Sequence, residues 1–342
     1  MYRIARLFRL IMALALSSQS HASMVAYDPM NESSLLLSRS GYRPSRPVSF
    51  VPDEIATAIF MSNFAYMVYD AKDGRTVDMA LYHTRVNQLA QDGYRVTEFS
   101  GKTGYTKFTD AAVTDSHIGL FAQKGDELII ALRGTKSTPD LLTDLYFFDG
   151  WFRKAVFNQD DQCLVHVGFN KIFESYKEVL TKQIKASIQS GIRRITIVGH
   201  SLGGALANLT ALYASQLVRS KDDGILIKLI TFNAPRVGNL YFASQLEENL
   251  GLENISRFTV GYKEIAASLV FGTLGFKHAG TNVVVDEATY NMYRNHRLRS
   301  FENDAAIRAV IRHNITPVKA NGLRTSIILY AQQAGARFLR GK

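Results

Sequence analysis

The 342-residue sequence predicts an α/β protein built on a mainly parallel central sheet with helices on both faces, in a single domain. Three observations predict it. Short apolar runs bounded by turn residues recur at 127–133 (ELIIALR), 194–199 (RITIVG), 227–232 (IKLITF), 255–260 and 281–285 (TNVVV). They are continuous rather than alternating, as strands buried on both faces are. Helical spacing fills 169–190 and 203–219, on either side of the second run. A composition of 46% hydrophobic and 20% charged residues supplies one large core and excludes a disordered chain or a multi-span membrane protein.

From the start of the chain, residues 1–22 carry Arg3, Arg6 and Arg9, an apolar run at 10–16 (LIMALAL) and a polar stretch ending Ser20-His21-Ala22. A positive start, a short apolar run and small residues before a cut describe a secretory signal peptide, with cleavage expected after Ala22. The run is too short for a spanning helix, which needs about 20 residues. Export points to a secreted or periplasmic protein of bacterial type, since Cys163 stands alone and no disulfide framework is available. Residues 23–52 are polar and proline-punctuated and read as an extended lead-in. Residues 53–69 (DEIATAIFMSNFAYMVY) place apolar side chains at helical spacing. The main domain is expected over 53–314, followed at 315–342 by an amphipathic, basic helix that either packs on the domain or lies on an anionic membrane surface.

The net charge of +10 favours loose attraction to polyanions and says nothing about fold. Without a long Lys/Arg run or an aromatic-interleaved basic motif, nucleic acid is not an expected partner.

The chemistry concentrates in Gly199-His200-Ser201-Leu202-Gly203-Gly204-Ala205. A strand enters G-x-S-x-G and a helix leaves it. A turn that sharp strains the backbone at Ser201 and lifts its hydroxyl above the sheet, while Gly199 and Gly203 remove side chains that would collide. The new helix offers unpaired amides and a positive dipole end to a developing oxyanion.

This stretch resembles the nucleophile elbow of the class 3 lipases, the fungal-lipase-like branch of the α/β-hydrolases. Four further blocks resemble the family in the same order: Ala131-Leu132-Arg133-Gly134-Thr135 with 140–145 (DLLTDL), Val165-His166-Val167-Gly168-Phe169, 231–239 (TFNAPRVGN) and 275–280 (GFKHAG). The resemblance implies an α/β-hydrolase fold and a serine carboxylic-ester hydrolase acting on lipids, acylglycerols or phospholipids, with no metal or cofactor. Chain order in this fold runs serine, acid, histidine. By the resemblance His296, in Tyr293-Arg294-Asn295-His296, is the base, while His278 is structural and His313 falls near the end of the resembling region.

The acid departs from the family pattern. An ungapped alignment puts Lys263 where the aspartate belongs, and a lysine cannot accept an imidazole N–H. A one-residue insertion puts Glu264 there instead, and Asp286 follows one strand later. Glu264 is the preferred acid. The resemblance further implies an oxyanion hole made by the amides of Leu202 and Thr135, and a lid over 141–152, whose dense leucines and aromatics otherwise belong to a fixed core element. The apolar loop 266–275 either lines an acyl pocket or packs in the core. Two other readings stand beside the lipase: a non-catalytic lipid- or partner-binding protein, suggested by Lys263, and an esterase for soluble short-chain or aryl esters.

Overall fold

The computed structural model describes residues 52–72, 79–103, 114–134, 152–155, 157, 161–219, 224–260 and 275–285. Expectations for 1–51, for 141–151 of the lid region, for the loop 266–274 and for everything beyond 285 therefore lie outside the described residues.

The chain opens with α1 (Pro52–Lys72) and α2 (Met79–Gln91). The first begins one residue before the expected start, because a proline in the first helical turn has no amide to lose. Three antiparallel-paired strands follow: β1 (Arg95–Thr103), β2 (Thr114–Lys124) and β3 (Glu127–Leu132). After β4 (Phe152–Lys154) and β5 (Leu164–His166) comes α3 (Val167–Gln189). It starts two residues ahead of the expected position because the His166 ring caps it, Nδ1 accepting from the Gly168 amide at 3.1 Å. Next are β6 (Arg194–His200), α4 (Leu202–Arg219), β7 (Leu226–Phe232), β8 (Gly238–Asn239), α5 (Leu240–Leu250), β9 (Ile255–Val260), β10 (Phe276–Lys277) and β11 (Thr281–Val285).

Seven strands form the main sheet in the order β1-β2-β3-β6-β7-β9-β11. From β3 onward every pairing is parallel. Ile130 lies opposite Ile197, Ile197 opposite Leu229 and Leu229 opposite Ile255, so an apolar row crosses the sheet. Alternation along the strands sorts the core into two layers. Leu128, Ile130, Leu132, Ile195 and Ile197 pack with Phe169, Phe173 and Tyr176 of α3, with the buried α4 and with Phe242 and Leu246 of α5. Ile129, Ala131, Val198, Ile230 and Phe232 face the other way, onto Ile59, Phe64 and Val68 of α1 and Leu89 of α2. The helices on both faces are thus observed, and α4 is sandwiched. Its Thr210 hydroxyl meets Tyr176 at 3.1 Å, and Tyr213 meets Thr181 of α3 at 2.6 Å.

A second sheet, β10-β8-β5-β4, is small and antiparallel. Three of the sequence blocks build it, since 165–169, 231–239 and 275–280 supply β5, β8 and β10. Asn239 locks them together. Its Oδ1 accepts from the amides of Phe242, capping α5, and Leu164, while its Nδ2 donates to the Gln162 carbonyl. These blocks are scaffold.

Candidate active site

Because β3, β6, β7 and β9 are parallel, the chain leaves all four at one edge of the sheet. In open parallel sheets that carboxyl edge is where ligands bind. Ser201 sits there, between the last residue of β6 and the first of α4.

Its backbone has φ +56°, one of two positive values among the described non-glycine residues, the other being Asn233 at +46°. A left-handed conformation costs an L-residue about 1–2 kcal/mol, so the surroundings must hold it. The Ser201 amide donates to Phe232 O of β7 at 2.9 Å, and the Ser201 carbonyl accepts from the amides of Gly204 at 2.9 Å and Ala205 at 3.2 Å. One side is thus tied to the neighbouring strand and the other to the first turn of α4. Asn233 repeats the device at the end of β7, donating its amide to Phe258 O at 2.8 Å.

The glycines are there for close approach. A Cβ on Gly199 would stand 2.2 Å from Gly203 O, and one on Gly203 would stand 2.1 Å from Leu132 O. Only bare backbones let α4 begin directly over the end of β3. Leu202 opens that helix, so its amide is among the first-turn donors that have no partner within the helix.

The exit of β3 is pinned by Arg133, which is buried. Its guanidinium donates to His117 O, to Gly134 O at 2.9 Å and to Ser116 Oγ at 2.7 Å, and it lies 3.7 Å over the Tyr69 ring of α1. Gly134 follows, pressed against the elbow. The point that its Cβ would occupy is 2.6 Å from the His200 carbonyl and 3.1 Å from Ser201 Cβ.

One residue at this edge escaped the sequence reading. Tyr66 of α1 places its hydroxyl 2.9 Å from His200 Nδ1, and the same hydroxyl is 2.1 Å from the Gly134 Cβ point. Burial raises its pKa above the ordinary tyrosine value, so it stays protonated. A tyrosine on a helix rich in apolar residues looks in sequence like any packed aromatic, so nothing marked it.

Of the expected site residues, Ser201 and Leu202 are adjacent at the elbow, and Gly134, which precedes Thr135, touches Ser201. Thr135, Lys263, Glu264, Asp286, His296 and His313 lie outside the described residues. His278 follows β10, where burial and the nearby Arg257 and Arg236 guanidiniums lower its pKa well below the usual imidazole value and keep it neutral.

Comparison with known proteins agrees with the motif reading. Residues 129–263 match the sequence model of the class 3 lipases. A secreted mono- and diacylglycerol lipase from Fusarium solani is 30% identical over 132 residues, covering 37% of this chain and 35% of that protein. Phospholipase A1-Igamma2, chloroplastic, from Arabidopsis thaliana is 46% identical over 169 residues, covering 42% of this chain and 30% of that one. The chain thus spans about a third of the length of these curated relatives. Among solved structures, a deletion mutant of the Rhizomucor miehei lipase propeptide complex superposes with TM-score 0.52 at 21% identity, covering 78% of this chain and 82% of the other. At that identity the likeness establishes the fold, an α/β-hydrolase.

Proposed function

We propose that this chain, with the α/β-hydrolase fold and a class 3 lipase segment at 129–263, is an exported serine hydrolase that cleaves carboxylic esters of acylglycerols or phospholipids. The observation that carries the reading is Ser201, held in the left-handed region at the carboxyl edge of a parallel sheet, where a helix starts. A scaffold has no use for a strained serine there, which argues against a non-catalytic protein. The names of both relatives point to lipid esters, and that of the fungal one points to secretion, in agreement with the leader-like 1–22.

In the proposed reaction Ser201 Oγ attacks the ester carbonyl carbon as His296 takes its proton. The resulting oxyanion is held by the amides of Leu202 and Thr135. Collapse breaks the C–O bond, His296 returns the proton to the departing alcohol, and water then repeats the sequence on the acyl-enzyme to release the fatty acid. Every step uses side chains, backbone amides and water, and none requires a metal or cofactor. The acid that orients His296 is Glu264. Strands lie about 4.8 Å apart. β9 is two strands from β6, so its exit lies about 10 Å across the edge from that of β6, whereas β11, which leads to Asp286, is three strands away. The nearer exit suits a side chain that must reach an imidazole beside Ser201.

Segment 141–152 serves as the lid, closing over Ser201 in water and opening at a lipid surface, and the basic 315–342 segment assists at anionic membranes. The test is fatty-acid release from emulsified diacylglycerol and from phosphatidylcholine vesicles, with Ser201→Ala as the blank. The reading expects hydrolysis that rises abruptly as substrate passes its solubility limit. Cleavage confined to soluble short-chain esters overturns the lipid assignment, and a rate that climbs smoothly through the limit overturns the lid.

A further inference from the structure

The geometry points to Tyr66 of α1 as a positioning residue for the oxyanion hole, on the reading of Ser201 as the nucleophile. Both expected donors sit one residue past a turn that its hydroxyl touches. Thr135 follows Gly134 at the exit of β3, and Leu202 follows Ser201 at the exit of β6. The hydroxyl stands between the two exits. It lies 2.9 Å from Nδ1 of His200, and it shares with the His200 carbonyl and Ser201 Cβ a neighbourhood within 3.1 Å of the point where a Gly134 Cβ would be. The Gly134 backbone lies directly against the same oxygen.

A phenol hydroxyl both donates and accepts, so it can bond the imidazole nitrogen in either tautomer. The contact with Nδ1 ties the hydroxyl to β6, and its closeness to Gly134 ties it to the end of β3. One hydroxyl therefore ties the exits of β3 and β6 together, and both expected donors follow directly from those exits in sequence. An oxyanion hole works only when its donors are already aimed at the charge that develops. The surroundings hold Tyr66 itself in place: its ring lies 5.9 Å from that of His200, and α1 packs on the sheet through Phe64 and Val68.

The test is Tyr66→Phe, which removes the hydroxyl and its bond to His200 and keeps the ring. Rates are compared on an oxygen ester and on its thiono analogue, whose sulfur is a poor hydrogen-bond acceptor. The expected result is a 10- to 100-fold fall in kcat for the oxygen ester with KM within twofold, and a smaller fall for the thiono ester. A general loss of structure lowers both alike, so the change in the oxygen-to-sulfur ratio isolates the hole. His200 supplies a second pair of variants should Tyr66→Phe not fold. His200→Leu removes the hydrogen-bonding partner and should copy the defect. His200→Asn, whose Oδ1 overlays Nδ1, should recover most of the loss. A wild-type chain that takes no fluorophosphonate label overturns the hydrolase reading, and this one with it. A labelled wild type overturns the positioning role alone if Tyr66→Phe keeps its kcat or its oxygen-to-sulfur ratio, or if His200→Asn and His200→Leu behave alike.

Discussion

Replacing Gly203 by alanine attacks the elbow through its sterics and removes none of the reacting groups. The new Cβ would stand 2.1 Å from Leu132 O and 2.7 Å from the carbonyl carbon and oxygen of Arg133. Those are backbone atoms at the end of a central strand, so no side chain can swing aside. Ordinary contact distances are about 3.5 Å, and restoring them moves the first turn of α4 or the exit of β3 by about 1 Å or more. Overfilling of this kind costs about 1–3 kcal/mol. A domain of this size loses roughly 2–4 °C in Tm per kcal/mol, so the drop should be about 2–12 °C. Turnover should suffer more, because a 1 Å misplacement of reacting groups costs about 10²-fold. The control is Gly93→Ala. Gly93 has φ +82° and open space around its Cβ point, so alanine there carries a backbone penalty of about 1–2 kcal/mol without intruding on anything. Melting curves and initial rates for both variants separate the two effects. Gly203→Ala should lose stability and rate together, and Gly93→Ala stability alone. A Gly203→Ala enzyme within twofold of wild-type kcat would refute the claim that the glycines set the geometry of the nucleophile.

Other predictions follow from single residues. Ser201→Gly and Ser201→Ala should both abolish turnover, but the glycine variant should be the more stable by about 1 kcal/mol in urea unfolding, since it alone relieves the positive φ; equal stabilities would mean the turn is unstrained. Native His278 is kept neutral while the unfolded imidazole takes up a proton below about pH 6.5. The unfolded state therefore binds more protons in acid, and stability falls as pH drops from about 6.5 toward the depressed native value, by no more than about 1.4 kcal/mol per pH unit. His278→Gln should flatten that slope in denaturant melts at pH 7.5 and 5, and an unchanged slope would contradict the burial argument. Glu264→Gln should lower turnover by about 10⁴-fold, as loss of a triad carboxylate does elsewhere, while Lys263→Ala should change it little; near-wild-type rates for Glu264→Gln would return the acid to Asp286.

The parallel half of the sheet and the elbow could be read from the sequence because burial on both faces leaves little choice of residue. β3 has one half-buried residue, Glu127, and five buried ones, and β6 has buried residues at six of its seven positions. The antiparallel strands β1 and β2 were not foreseen. β1 buries only Phe99 and Gly101, its other residues being exposed or half-buried with Glu98 and Lys102 among them, and its bulge between Phe99 and Ser100 breaks the period. Helix α2 escaped for a related reason, since Leu89 is its only buried residue and Met79, Leu81 and Val86 are exposed. The second sheet was hidden because strands of two or three residues, such as β8 and β10, have no period to detect. The motifs, in contrast, marked backbone constraints well. Gly134, Gly199 and Gly203 are required by contacts that any Cβ would violate. Tyr66 shows the limit: its role depends on the partners that the fold brings to it, and those lie 68 and 134 residues away in sequence.

The most direct measurement is covalent labelling of the purified chain by an alkyl fluorophosphonate, read by intact mass and by peptide mapping. A hydroxyl activated at this elbow should take one phosphonyl group at Ser201, with none in Ser201→Ala and strongly slowed uptake in His296→Ala. A folded wild-type chain that remains unmodified, or carries its label on a different side chain, would contradict the account at its root.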